Sequence, residues 1–146
     1  MEIGDVFRWN SYPFAIDGGA KPRWFLYLGT YREDPFSQIM LIIPTSTTQI
    51  HHFERGGKRS SHSHIFISAG DGFGFDRDCV LDFEEVFYDT PLEELKARER
   101  DIEMMGAIKS VSALQKIYSA ICAARDVDRF IKIQVRDNLR SIGVPV

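Results

Sequence analysis

Residues 38–49, QIMLIIPTSTTQ, constrain the fold of this chain more than any other stretch. An apolar, largely β-branched run that stops at Pro44 predicts a buried strand, and the residues after the proline are hydroxyls and an amide. The hydroxyl cluster should therefore lie at the carboxyl end of a core strand. We expect any chemistry of the protein to take place near that strand end.

The front half of the chain has the pattern of a small β protein. Its aromatic residues are concentrated there, and aromatic side chains favour strands. Short strands are predicted near residues 4–9, 24–31, 38–43, 64–68 and 79–88, with a last strand over 101–108. So many short strands with no helix among the first five predict a mainly β (α+β) fold, built on a small closed barrel of roughly five to six strands over residues 1–108.

Helix signals begin only after these strands. Thr90, Pro91 and Glu93 stand in the order of an N-cap, a first-turn proline and a capping-box acid. This order predicts a short helix inserted near residues 91–100.

Residues 110–142 form a predicted C-terminal helical region, because apolar residues recur there at the spacing of one helix face. Asp126 could cap a second helix in this region. One kinked helix is the alternative, since no Gly or Pro separates the two apolar stripes. We expect residues 1–146 to form a single domain.

Composition and charge limit the classes of function that are open to this protein. The formal net charge is −3, so nucleic-acid binding would depend on a local basic patch. No apolar run is long enough to span a membrane, and the start lacks a secretory pattern. We therefore expect a cytoplasmic protein with no membrane partner. Cys79 and Cys122 are predicted to be reduced core thiols.

A basic, histidine-rich segment at residues 51–64 offers such a patch. It holds three cations against one acid, and all four histidines of the chain lie in it. We predict a hairpin or a flexible loop over residues 49–63. The residues expected to contact nucleic acid are cations, imidazoles and one phenyl ring: His52, Phe53, Arg55, Lys58, Arg59, His62 and His64.

His62 and His64 raise the question of a metal site. On a strand, residues two apart share a face, which is how some barrels hold two metal-binding imidazoles. No glutamate follows them before Glu84, and His51 or His52 would complete the set only if the loop folded back. We predict no metal and no cofactor, and keep a small metal-dependent barrel enzyme as a third hypothesis.

Taken in order, these segments resemble the MazF and PemK (Kid) family of toxin endoribonucleases. The matching stretches are GDVF, KPRWFLYLG, IIPTSTTQ, CVLDFEEV and MMGAIKSVSALQKIYSAI, which together span residues 3–124. The resemblance implies an SH3-like barrel with a C-terminal helix, a homodimer, and metal-independent cleavage of single-stranded RNA. It also implies an antitoxin protein as a partner. The helix near 91–100 is then an insertion and residues 125–146 an extension.

The resemblance also implies which residues of this sequence are catalytic. Arg23 matches the arginine before the second strand, Ser46 or Thr47 the hydroxyl after the strand proline, and Asp82 the acid on a later strand. RNA cleavage through the 2′-hydroxyl needs a base, a proton donor and cations around the phosphate. Asp82 or a histidine would be the base, and Arg23 would stabilise the developing charge.

Two positions depart from the family pattern. Trp24 stands where the family usually has proline, and Val80 stands where it has an arginine two residues before the acid. A lost cation favours the second hypothesis, a non-catalytic nucleic-acid- or protein-binding module on the same barrel. The residues also admit plainer roles: a solvated acidic face for Asp82, and local turn hydrogen bonds for Ser46 and Thr47.

Overall fold

A computed structural model describes residues 1–13, 21–46, 49–85 and 87–146. The strands are β1 (Asp5–Trp9), β2 (Arg23–Arg32), β3 (Gln38–Ser46), β4 (His64–Ile67), β5 (Cys79–Asp82), β6 (Phe87–Pro91) and β7 (Ile102–Ala107). The α-helices are α1 (Leu92–Ala97), α2 (Val111–Ala123) and α3 (Arg129–Ser141). The predicted α+β class is confirmed. None of these helices is long and apolar enough to cross a membrane.

The sheet is organised around β3, as its apolar sequence predicts. β3 pairs with β2 on one side and with β6 on the other, and its C-terminal end pairs with β5, all antiparallel. Sheet A has the strand order β7-β1-β2-β3-β6, and β4 and β5 extend the end of β3 as sheet B. Ser46 lies opposite Val80, so the strand continues past Pro44 into the hydroxyl segment. Thr47 lies outside the described residues.

Strand pairing does not confirm the predicted closed barrel. Seven strands are described instead of five or six, and β4 and β7 stand at the two ends of the strand order without a ladder between them in the described chain. The connection between β4 and β5 nevertheless contacts β7 through the backbone, at Gly74 and Gly106. A Cβ on Gly74 would lie 2.5 Å from the carbonyl oxygen of Met105 and 2.7 Å from the Cα of Gly106. Only glycine permits this approach.

The stretch predicted as one strand over residues 79–88 is two strands. β5 ends at Asp82, a 3₁₀ turn follows at Phe83–Glu85, and β6 pairs with an earlier part of β3. The side chain of Phe83 is fully buried, and Asp82 accepts a hydrogen bond from the backbone N–H of Glu84 at 3.1 Å. These two interactions hold the turn that separates the strands.

The inserted helix α1 is confirmed, but its predicted cap is wrong. α1 begins at Leu92, with Pro91 in the N-cap position and no side-chain cap hydrogen bond. Thr90 lies fully buried in β6, where its hydroxyl oxygen is 3.1 Å from the hydroxyl oxygen of Tyr12. The tertiary contact with Tyr12 therefore replaces the local cap.

The C-terminal region consists of two helices, α2 and α3. Ser110 caps α2, since its hydroxyl oxygen accepts the N–H of Ala113 at 3.3 Å. The predicted cap at Asp126 is wrong, because Asp128 occupies the N-cap position of α3. α3 packs on β2 and on α2, which places both helices on one side of the sheet.

Both faces of the sheet are buried. The core beneath α2 and α3 is aliphatic and includes Leu26, Ile43, Leu81, Ile117 and Val135. The core on the opposite face is largely aromatic and includes Phe7, Trp9, Tyr12 and Phe25, with Leu92 and Leu95 of α1 packed against it. A sheet buried on both faces explains why β2 and β3 read as continuous apolar runs.

The two cysteines differ in environment. Cys79 is buried in the aliphatic core, and this burial, with Asp78 and Asp76 nearby, raises the pKa of its thiol to about 12. Cys122 is a free thiol on the exposed surface of α2. The prediction of two core thiols is therefore correct only for Cys79.

Candidate functional site

Asp82, the last residue of β5, is a buried carboxylate that gathers several donors. Its side chain is 4% exposed, and its two oxygens lie 3.1 and 3.3 Å from Nδ1 of His62. A guanidinium nitrogen of Arg59 lies 3.5 Å from one of these oxygens. The alternative of a solvated acidic face is wrong for this residue. A carboxylate, an imidazole and a guanidinium meet here instead.

The segment over residues 49–63 is a compact loop and not a hairpin. It opens with a 3₁₀ turn at Ile50–His52, and the N–H of Arg59 donates to the His52 carbonyl oxygen at 2.8 Å. The N–H of His62 then donates to the carbonyl oxygen of Arg59 at 3.0 Å. These bonds bring two loop residues that are far from Asp82 in sequence to its carboxylate.

Phe53 holds this loop together from the inside. It is 2% exposed, and the guanidinium of Arg59 lies 5.9 Å from the centroid of its ring. The rings of His62 and His64 lie 6.2 and 5.2 Å from the same ring. Phe53 therefore cannot stack on a nucleotide base as the sequence predicted, because its ring is enclosed by its own neighbours.

The remaining residues of the predicted nucleic-acid surface lie around this cluster. Arg55 and Lys58 are exposed on the loop, and His52 is half-buried. Burial lowers the pKa of His52, and the neighbouring charges of Lys58, His51 and Arg59 lower it further. The charged form of His52 is therefore disfavoured, and Arg55 and Lys58 supply exposed positive charge to the patch.

Strand register places Ser46 in the row next to Asp82. Ser46 pairs with Val80 of β5. Arg23 is the first residue of β2, two residues before Phe25, which pairs with Pro44 of β3. Residues two apart on a strand share a face, so Val80 and Asp82 lie on the same face of β5.

The cation beside Asp82 comes from the loop and not from the strand. Val80 is fully buried, and no charge is contributed from that position of β5. Arg59 approaches the carboxylate from the loop, with its side chain 29% exposed. Val80 stands where the family pattern has an arginine. The cation near Asp82 in this protein is Arg59, which is distant in sequence but close in the folded structure.

Glu84 is a structural residue that the sequence did not indicate. Its carboxylate accepts the backbone N–H groups of Arg125 and Asp126, each at 2.9 Å from one oxygen, and the N–H of Ser63 at 3.4 Å. Burial would raise the pKa of Glu84, but these backbone donors outweigh it and lower the pKa. Glu84 therefore ties the loop and the end of β5 to the connection between α2 and α3.

We expect Glu84→Gln to destabilise the protein by about 1 kcal/mol at pH 7. The variant replaces a partly exposed carboxylate, which accepts several backbone N–H groups, with an uncharged amide that accepts them more weakly. A lowered folded-state pKa means that the carboxylate stabilises the protein above its ordinary pKa and loses this effect as the pH falls through the folded value. The difference in unfolding free energy between wild type and variant should therefore be smaller at pH 3, which is below the ordinary glutamate pKa, than at pH 7. Urea denaturation at both pH values measures it.

The matched control is Glu33→Gln, a change to an exposed carboxylate in the connection between β2 and β3. It should leave the unfolding midpoint unchanged at both pH values. An equal loss of stability at pH 7 and pH 3 for Glu84→Gln would show that the charge of Glu84 is not the source of its effect.

The two histidines considered as metal ligands do not share a strand face. β4 begins at His64, so His62 belongs to the loop. Nδ1 of His64 lies 2.6 Å from the carbonyl oxygen of His62, while the His62 imidazole bonds to Asp82. Within the described residues, no group of three or more His, Cys, Asp or Glu side chains is placed to hold a metal ion.

A separate cleft lies away from the cluster of Asp82, His62 and Arg59. It has a volume of about 640 Å³ and lies between the N-terminus, β2 and α3, where Tyr27, Thr30 and Asn138 contribute to its walls. None of the predicted site residues lines it. The candidate site is therefore defined by the convergence of charged groups and not by this cleft.

No protein-family model matches this chain, and no curated protein or solved structure does. The function must therefore be inferred from the geometry of the site.

Proposed function

We propose that this protein is a metal-independent endoribonuclease that cleaves single-stranded RNA, with the cluster of Asp82, His62 and Arg59 as its active centre. The observation that carries the proposal is the hydrogen bond between the buried Asp82 carboxylate and Nδ1 of His62, beside a guanidinium. A carboxylate that holds one imidazole nitrogen leaves the other nitrogen available as a base, with the tautomer defined.

The proposed reaction uses the 2′-hydroxyl of the substrate. Nε2 of His62 takes the 2′-hydroxyl proton, the 2′-oxygen attacks phosphorus, and the bond from phosphorus to the 5′-oxygen breaks. A water molecule protonates the leaving oxygen, and the hydroxide that forms takes the proton from the His62 imidazolium, which restores the base. The products are a 2′,3′-cyclic phosphate and a 5′-hydroxyl. The reaction requires no oxidant and no metal ion.

In this scheme Asp82 orients the base. Its carboxylate is almost fully buried and is occupied by His62, Arg59 and the N–H of Glu84, so it stabilises the imidazolium that forms. The guanidinium of Arg59 has several donors in a fork, which suits a carboxylate on one side and a phosphate on the other. Arg23 and the hydroxyls of Ser46 and Thr47 remain the proposed phosphate contacts from β2 and β3.

The biological setting proposed here follows the family resemblance. We propose a cytoplasmic toxin on an SH3-like barrel that acts as a homodimer and is neutralised by an antitoxin protein. The contact of Gly74 with Gly106 supports the barrel, because it brings the connection that follows β4 against β7, and these two strands stand at opposite ends of the strand order.

A non-catalytic nucleic-acid- or protein-binding module is the second candidate. It is favoured by Val80, a buried apolar residue where the family has an arginine, and by the burial of Asp82, which leaves no exposed carboxylate at that position. In that case Asp82 would only anchor the loop.

Cleavage of a single-stranded RNA in excess EDTA tests the proposal. We expect cleavage to persist in EDTA, to yield 2′,3′-cyclic phosphate ends, and to stop when the scissile nucleotide is 2′-deoxy. Cleavage that EDTA abolishes would indicate a metal-dependent enzyme. Binding of RNA without any cleavage would favour the non-catalytic module.

A further inference from the structure

Phe66 is an exposed aromatic ring beside the proposed active centre. Phe66 is 50% exposed although it lies in β4. Its ring meets the ring of His64 edge-to-face, with 5.1 Å between the ring centroids. Among the described strands β4 pairs only with β5, so Phe66 stands at an edge of sheet B. A ring with this exposure, next to the proposed active centre, is accessible to a ligand that binds there.

Strand register shows how close Phe66 lies to the proposed catalytic cluster. His64 pairs with Asp82, and Phe66 pairs with Val80. Phe66 is therefore one two-residue step, roughly 7 Å, along β4 from the row that contains Asp82. Paired residues share a face of the sheet, so the ring of Phe66 lies on the face that carries Asp82.

We infer that Phe66 binds one unpaired nucleobase of the RNA, next to the phosphate that is cleaved. The inference rests on the proposed function for the identity of the ligand. The base stacks on the phenyl ring, since every base offers a π-face to an aromatic side chain. Bases that stack more strongly bind better here, so this site contributes a modest sequence preference.

Binding of a fully 2′-deoxy oligonucleotide tests this site without cleavage. We expect Phe66→Ala to weaken binding by roughly 5- to 100-fold, the factor that corresponds to the loss of one stacked base. Phe66→Trp should retain binding, because indole offers an equal or larger stacking surface. Fluorescence anisotropy of a labelled single strand at fixed salt measures both.

The matched control is Phe130→Ala. Phe130 is 52% exposed on α3 and meets Tyr31 edge-to-face at 5.5 Å, so it has the same residue type, exposure and kind of ring contact on another surface. It should leave binding unchanged. Thermal unfolding of all variants checks that the fold is retained.

The outcomes separate this inference from the proposed function. Equal binding by wild type and Phe66→Ala overturns the base site, even if the wild type cleaves RNA. Phe66-dependent binding without RNA cleavage supports the base site and overturns the endoribonuclease. Equal losses in Phe66→Ala and Phe130→Ala overturn the base site, because the effect would then follow any exposed phenyl ring.

Discussion

His62→Asn should lower the rate of RNA cleavage by roughly 10²- to 10⁴-fold, the usual contribution of a general base. The asparagine amide nitrogen lies near the place of Nδ1 and can still donate to Asp82, so the buried carboxylate keeps a partner. Only the second imidazole nitrogen, the proposed base, is lost. Single-turnover cleavage of a defined single-stranded RNA measures the effect, and RNA affinity should be nearly unchanged.

His51→Asn is the control for this change. His51 belongs to the same loop and is exposed, and its side chain has no place in the proposed reaction. Its cleavage rate should match wild type. Full activity in His62→Asn would refute the proposed base, and if Arg23→Ala then abolished cleavage, the chemistry would have to be centred on β2 and β3.

Gly74→Ala should destabilise the protein by roughly 2–4 kcal/mol, through backbone strain and overpacking together. Gly74 has a φ of +98°, and an added Cβ would lie 2.5 and 2.6 Å from the carbonyl oxygen and carbon of Met105. These are backbone atoms of β7, which cannot move aside as a side chain can. We expect the melting temperature to fall by about 5–15 °C.

Two other glycines between β4 and β5 separate the effect of backbone strain from that of overpacking. Gly72 has a φ of +75° but nothing within 4 Å of an added Cβ, and Gly70 has neither the unusual φ nor a close neighbour. Gly72→Ala should therefore cost about 1 kcal/mol and Gly70→Ala close to none. If Gly74→Ala were no worse than Gly72→Ala, the close contact between this connection and β7 would not exist in solution.

Local sequence patterns predicted most of the elements. The strands at β2, β3 and β7 and the helices α1 and α2 lie where apolar runs and apolar spacing placed them. Errors arose where a tertiary contact outweighed the local signal. Thr90 bonds to Tyr12 instead of capping α1, and the burial of Phe83 accompanies the turn that divides one predicted strand into β5 and β6.

The candidate site was predictable only in part. Asp82 and the basic loop were each indicated by sequence, but as separate features with different roles. The structure joins them, because the loop folds over Phe53 and brings Arg59 and His62 to the Asp82 carboxylate. The burial of Phe53 could not be anticipated, since a phenyl ring in a polar loop resembles an exposed stacking residue.

The sequence by itself determined the alternation of strands and helices and the central position of β3, because these depend on hydrophobic spacing among residues a few places apart. Only the tertiary structure decided what surrounds Asp82. Its partners lie about twenty residues away in the chain, and Glu84 bonds to residues about forty away. Hydrogen bonds and burial between such distant segments depend on packing, which leaves no periodic pattern in the sequence.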